Sequence, residues 1–330
     1  MDREAPQPPR RPRWTRLLGF AIALALLAAA INAVWSQRDA LAESLRHAAT
    51  TRWYLIALAL ALPALNWLTT SAIFYILTNA HPMRRKVRPG EMAALVGASW
   101  LFNYLPASPG LFGRVLYHQR FHGLHWKHSV TVVVGSMLTS VAALAVTFVA
   151  GVLFAFDSIP FLVAPTVLAV VALTLSILNR RRAVAGWREA AALVVRCLDL
   201  YIWAARYYVV LLILDLDPTP TLALSLAAVS QAALLIPFLG NGLGLREWAV
   251  GLVGPALPGW AATRTTALSV DLVNRACELL IAIPVGLISA AVLAANTRRE
   301  YPEVNAQTAA ANPLPGPSPQ AVTSDRRFHS

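Results

Sequence analysis

From Leu222 the sequence runs LALSLAAVSQAALLI as far as Ile236, then breaks into Pro237-Phe238-Leu239-Gly240-Asn241-Gly242-Leu243-Gly244-Leu245-Arg246-Glu247. As a helix this apolar run reaches about 22 Å, short of a bilayer core of about 30 Å, before a proline and several glycines stop it. A second stretch does the same: Met92 to Tyr104 leads into Leu105-Pro106-Ala107-Ser108-Pro109-Gly110-Leu111-Phe112-Gly113-Arg114. Irregular backbone at membrane depth is tolerated only where protein or a wet cavity surrounds it, so each break points to a site.

A bilayer is the right solvent for this chain. Only 13% of its 330 residues are charged, against about a quarter in soluble domains, and 57% are hydrophobic. The two cysteines, Cys197 and Cys277, lie inside apolar stretches, which leaves neither a disulfide framework nor a CxxC metal site. The net charge of +12 sits beside apolar segments and comes with no nucleic-acid-binding motif, so it reads as flanks facing anionic lipid, with no nucleic acid as partner.

Full spans are expected at Leu17 to Trp35, Trp53 to Leu77, Ser129 to Phe156, Phe161 to Leu178, Ala190 to Leu214 and Ala262 to Leu293. The first follows Arg10, Arg11, Arg13 and Arg16 and is longer than a signal-peptide core, which predicts a retained helix. Dense Arg/Lys runs lie at Met1 to Arg16, His81 to Arg88, Asn179 to Arg188 and Asn296 to Arg299, whereas Asp157-Ser158 and Asp215-Leu216-Asp217 are short and acidic. All four basic runs share one side, the cytoplasm, if each broken stretch is a re-entrant hairpin rather than a crossing. The expected fold is therefore an all-α polytopic membrane protein of about six transmembrane helices plus two Pro/Gly-broken re-entrant hairpins, with both termini cytoplasmic. Its parts are a basic arm at 1–16, a membrane domain at 17–295 with broken segments 92–122 and 222–257, and a disordered tail at 296–330, rich in Pro, Ala, Ser and Gln.

The breaks resemble each other. Pro106 and Gly113 have the spacing of Pro237 and Gly244, with Arg114 and Arg246 just beyond, and Gly123 and Gly254 follow at matching distance. On the expected topology the first hairpin enters from the cytoplasm and the second from outside. Paired interruptions in two inverted halves are the sequence pointer to a transporter's binding site.

The run Ile236-Pro237 through Gly242-Leu243-Gly244-Leu245-Arg246-Glu247, with Asn274-Arg275 on the next apolar helix, resembles the second signature of the lysylphosphatidylglycerol synthase transmembrane region, or flippase-like integral membrane family. Asn103-Tyr104-Leu105-Pro106 with Gly113-Arg114 and Gly123 is similar to that family's first signature, and the resemblance covers roughly residues 15 to 295. It implies a multi-pass cell-membrane protein, in the inner or cytoplasmic membrane, that handles a phospholipid or polyprenyl-linked envelope precursor. Two departures matter. The helix after the first hairpin reads Val134-Gly135-Ser136-Met137 where members often carry a Glu-Arg pair, and no aminoacyl-transferase domain follows, so lipid aminoacylation is not expected.

Charges inside apolar runs mark the rest of the candidate site, because each costs about 2.5 to 3.5 kcal/mol to insert unless paired or wetted. Asp271, Arg275 and Glu278 share one helical face with Asn274 beside them. They can line a polar route or form a self-neutralising packing triad. Arg196, Asp199 and Arg206 form a second stripe around Trp203, able to face that triad, to grip a lipid phosphate, or, if Ala190 to Cys197 lies flat at the interface, to leave Arg196 outside the core. Arg114 and Arg246 follow glycines at the expected start of a helical leg, where free N–H groups favour an anion. Phosphate contact, interhelical pairing and snorkelling are all open for them.

The candidate headgroup-binding set is Asn103, Pro106, Gly113 and Arg114 from the first break and Pro237, Gly242, Gly244, Arg246 and Glu247 from the second. Arg196, Asp199, Asp271, Asn274, Arg275 and Glu278 complete it. Between Arg114 and His128 four histidines recur at helical spacing, but no carboxylate or cysteine accompanies them in that stretch, so a metal is not expected. No cofactor, ATP-binding or catalytic motif is found. The leading expectation is a lipid translocator that passes a headgroup between leaflets with its tails left in lipid. The alternative is a non-transporting subunit supporting an envelope-lipid or glycolipid synthesis enzyme.

Overall fold

The computed structural model describes residues 38–105, 109–154, 158–178, 186–235, 242 and 244–300, with isolated positions from 21 to 35. Among the described residues the protein is all-helical, without a strand. In chain order the helices are α1 (Arg38–Thr51), α2 (Trp53–Thr78), α3 (Pro89–Phe102), α4 (Pro109–His122), α5 (Trp126–Phe154), α6 (Ile159–Leu178), α7 (Gly186–Ile213), α8 (Pro220–Leu234), α9 (Leu245–Val253) and α10 (Arg264–Glu300).

Among the described residues, α2, α5 and the part of α10 from Arg264 to Thr297 are long and apolar enough to cross a membrane. They coincide with three of the expected spans. The expected spans at Phe161 and Ala190 fall in α6, of 20 residues, and α7, of 28 residues. Leu17 to Trp35 lies outside the described residues apart from isolated positions, as do the arm at 1–16, Asp157, Arg180 to Arg182 and the tail from 301. The expected tail boundary at 296 needs correction, because α10 stays helical to Glu300.

Each broken stretch is a pair of short helices. The first pair is α3 and α4, 14 residues each; the second is α8 and α9, of 15 and 9 residues. Local chemistry sets their starts. Pro89 and Pro220 stand in the first turn, where a missing N–H costs nothing, and the Thr219 hydroxyl accepts from the Leu222 amide at 3.1 Å. Gly244, with φ +78°, is the N-cap of α9, a backbone geometry that other residues adopt only under strain.

Helix α7 is the centre of the bundle, with α2, α6 and α8 packed on it, while α10 packs along α3 and α9. The α3–α10 crossing depends on glycine: a Cβ on Gly97 would lie 2.3 Å from Ser289 Oγ, and one on Gly286 would lie 2.4 Å from Leu101 Cβ. The α3–α4 turn is as tight, since a Cβ on Gly110 would fall 2.2 Å from the Ser99 carbonyl. Tyr207, Leu226, Ala227, Val250 and Val270 form the main apolar core around the α7–α8–α9–α10 junction. Large apolar side chains such as Leu138, Phe148, Leu280 and Ile288 face outward instead, as expected where the surroundings are hydrocarbon.

Candidate functional site

Three helices bring their charges to one buried point, where a tyrosine joins them. Glu278 of α10, only 2% exposed, accepts on Oε2 from Arg206 of α7 and Arg246 of α9, each at 2.9 Å, and on Oε1 from the Tyr104 hydroxyl at 2.7 Å. Arg246 Nε also donates to Asp271 Oδ2 at 3.0 Å, and the Tyr207 hydroxyl donates to Asp271 Oδ1. Arg275 lies 3.8 Å from Glu278 Oε1 and 3.6 Å from Glu247 Oε1. Arg206 donates further to Asn274 Oδ1 at 3.0 Å and Asn66 Oδ1 at 3.2 Å, with its guanidinium stacked 3.9 Å over Trp203. Such a network is held by geometry: a carboxylate or guanidinium left alone here would carry the full cost of desolvation.

A second node adjoins it through Asn66. Asp199 accepts from Asn66 Nδ2 at 2.9 Å, from the Thr69 hydroxyl, and from Arg196 NH1 at 3.0 Å, and Arg196 NH2 reaches Ser136 Oγ at 3.2 Å. Helix α7 is continuous from Gly186, so Arg196 belongs to the buried stripe and not to a separate flat segment.

Between these nodes and the first helix pair lies a cavity of about 220 Å³, room for roughly seven waters at about 30 Å³ each. Asn66, Asn103, Arg114, Arg196, Arg206 and Glu278 supply polar groups to its wall, and Phe74, Trp100 and Trp203 supply rings. Arg114 differs from the other arginines. It is 6% exposed, its guanidinium stacks 3.9 Å over Phe74, and its Nε and NH1 make no hydrogen bond among the described residues. Asn103, the C-cap of α3, lines the same cavity, and its Oδ1, packed against Gly110, makes no hydrogen bond among the described residues. The cavity wall carries Arg114, Arg196 and Arg206 against Asp199 and Glu278, one positive charge in excess. The excess belongs to Arg114, because the other two arginines hold carboxylates.

Arg196, Asp199, Arg246, Asp271, Asn274, Arg275 and Glu278 therefore come together, with Glu247 beside Arg275, and the α7 stripe faces the α10 triad. Two expectations need correction. Arg114 lies in the second turn of α4, which begins at Pro109, so the free N–H groups of a helix start are not beside it. Gly113 lies within that helix, with open space where a Cβ would go, whereas Gly242 and Gly244 have φ +70° and +78°. The two glycine breaks thus differ locally. Pro106 and Pro237 lie outside the described residues.

The fold also supplies the histidine stretch with the carboxylate its own sequence lacks. Glu91, at the start of α3, accepts from the Tyr117 hydroxyl at 2.9 Å and lies 3.3 Å from His122 Nε2, with His118 5.4 Å from His122 between ring centroids. No group of three or more metal-ligating residues occurs among the described residues. Sequence reasoning missed Asn66, Thr69, Tyr104 and Tyr207 as partners of the charges. The signal for the first two was present in the polar run Asn66, Thr69, Thr70, Ser71 within an otherwise apolar helix.

In comparisons with known proteins, no family model, curated protein or solved structure matches this chain.

Proposed function

We propose that this chain is a carrier that moves an anionic lipid headgroup, of a phospholipid or a polyprenyl-linked envelope precursor, between the leaflets of the cytoplasmic membrane. The observation that carries the reading is Arg114: a buried guanidinium that has no carboxylate partner among the described residues, on the wall of a polar cavity beside a network in which every other arginine has one. A phosphate there would neutralise the excess charge and accept the unused N–H groups in the planar fork that arginine presents. Two pairs of short helices, each too short to cross hydrocarbon, support re-entrant hairpins within a six-span topology with cytoplasmic termini. They also fit the flippase-like family that the Pro/Gly motifs resemble.

The test is headgroup accessibility of labelled lipid in reconstituted vesicles. Labelled phosphatidylglycerol or polyprenyl phosphate should equilibrate between leaflets faster with the protein than without it, and Arg114→Gln should abolish the acceleration. No acceleration with either lipid defeats the proposal. If the protein instead co-purified with an envelope-lipid enzyme, and its deletion removed that enzyme's product without changing lipid sidedness, an accessory subunit would be the better reading.

A further inference from the structure

The polar cavity has an apolar neighbour. A groove of about 420 Å³ runs between α5, α6 and α8, floored by the buried Phe161 and open to the outside beside the exposed Val141, Phe148 and Val253. Its lining is almost wholly hydrocarbon, with Thr147 and Ser225 as the hydroxyl groups among it, and the Thr147 and Ser225 hydroxyls are spent on the Ala143 and Thr221 carbonyls of their own helices. The groove thus offers no free hydroxyl donor to a polar guest.

A narrow void of about 10 Å³ lies between the two, close to the space of a single water. Arg196, Asp199 and Gln231 line both this void and the polar cavity, and Leu144 lines both the void and the apolar groove. Three spaces in series therefore grade from charged to apolar along one path. The chemistry of that path is that of an amphiphile.

We infer that the groove is a tail slot: it holds one apolar chain of the same anionic amphiphile whose phosphate sits at Arg114, so that head and chain are both held by the protein. This rests on the headgroup reading above and goes beyond it, because a headgroup carrier can leave every chain in the bilayer. The ligand class becomes a phosphorylated lipid with at least one chain able to pass the neck formed by Leu144 and Gln231. Both stand on helices, and the long Gln231 and the branched Leu144 can each yield by a change of staggered rotamer without backbone movement.

Binding of a ladder of water-soluble phosphates tests the proposal, with inorganic phosphate, butyl phosphate, hexyl phosphate and octyl phosphate titrated calorimetrically into the full-length protein in amphipol. Burying a methylene from water corresponds to about fourfold in affinity, so the ladder should steepen by up to that factor per methylene. Ala228→Trp and Ala145→Trp, two independent fillings of the groove, should each flatten the ladder while leaving inorganic phosphate bound as before. Arg114→Gln should weaken every member. A ladder already flat in the unmodified protein, with phosphate still dependent on Arg114, overturns the tail slot alone, as does a slope that survives both groove variants. Loss-free binding of octyl phosphate in Arg114→Gln overturns the headgroup reading and the slot with it.

Discussion

Glu278→Gln separates charge from shape at the most connected side chain of the molecule. Its carboxylate meets Arg206 and Arg246 at 2.9 Å and Tyr104 at 2.7 Å, with Arg275 3.8 Å away. Glutamine keeps the volume but turns one oxygen into an NH₂ donor, which must face either two guanidinium donors or a tyrosine hydroxyl. Because Glu278 and its arginines are all 3% exposed or less, bulk water screens the loss only weakly. Removing one partner of a buried ion pair costs about 3 to 5 kcal/mol, about 4 to 7 °C in melting temperature for a chain of this size. The assay is the thermal midpoint of the detergent-solubilised protein, followed by tryptophan fluorescence. A cycle with Arg206→Gln makes it quantitative: the double variant should be more stable than the sum of the singles predicts by about 1 to 3 kcal/mol, because it removes a cation together with its counter-charge. A shift below about 2 °C for Glu278→Gln, or strict additivity, would refute the claim that this network is electrostatically coupled.

Gly286→Val forces a branched side chain into the α3–α10 crossing, where even a Cβ would approach Leu101 Cβ to 2.4 Å. It should lower stability by about 1 to 3 kcal/mol in the same melting assay. For topology, single cysteines replacing the exposed Lys86 and Asp217, in a background without Cys197 and Cys277, should react with a membrane-impermeant maleimide from opposite sides. Labelling of both from the same side contradicts the arrangement of α3 through α7.

How much of this was legible depended on whether a residue's cost shows in its own neighbourhood. Arg196, Asp199, Asp271, Arg275 and Glu278 interrupt apolar runs, and a charge in such a run is conspicuous without any structure. Helical spacing also gave the face each one occupies. Which face meets which is a long-range property: Arg114 and Arg246 look alike beside their glycines, yet one has two carboxylates from α10 and the other a phenyl ring. Tyr104, Tyr207, Asn66 and Thr69 stayed hidden because neutral polar groups in a helix draw no attention until a charge 60 or more residues away turns towards them. Tyr207 to Asp271 spans 64 positions, and Asn66 to Asp199 spans 133. Gly113 and Gly244 are identical letters with different work, since only the second has a backbone that needs glycine.

Arg246 grips Asp271 and Glu278 at once, and Glu278 shares one oxygen with Arg206. A slide of α9 along α10 by one helical turn, about 5.4 Å, would break both grips together, leaving Arg246 without either carboxylate and Asp271 with the Tyr207 hydroxyl. The second pair of short helices is thereby riveted to the last helix and the central one, while α4 carries an arginine held against a ring alone. Two breaks that read as copies in sequence therefore fix their arginines unequally: Arg246 between two carboxylates, Arg114 against a ring.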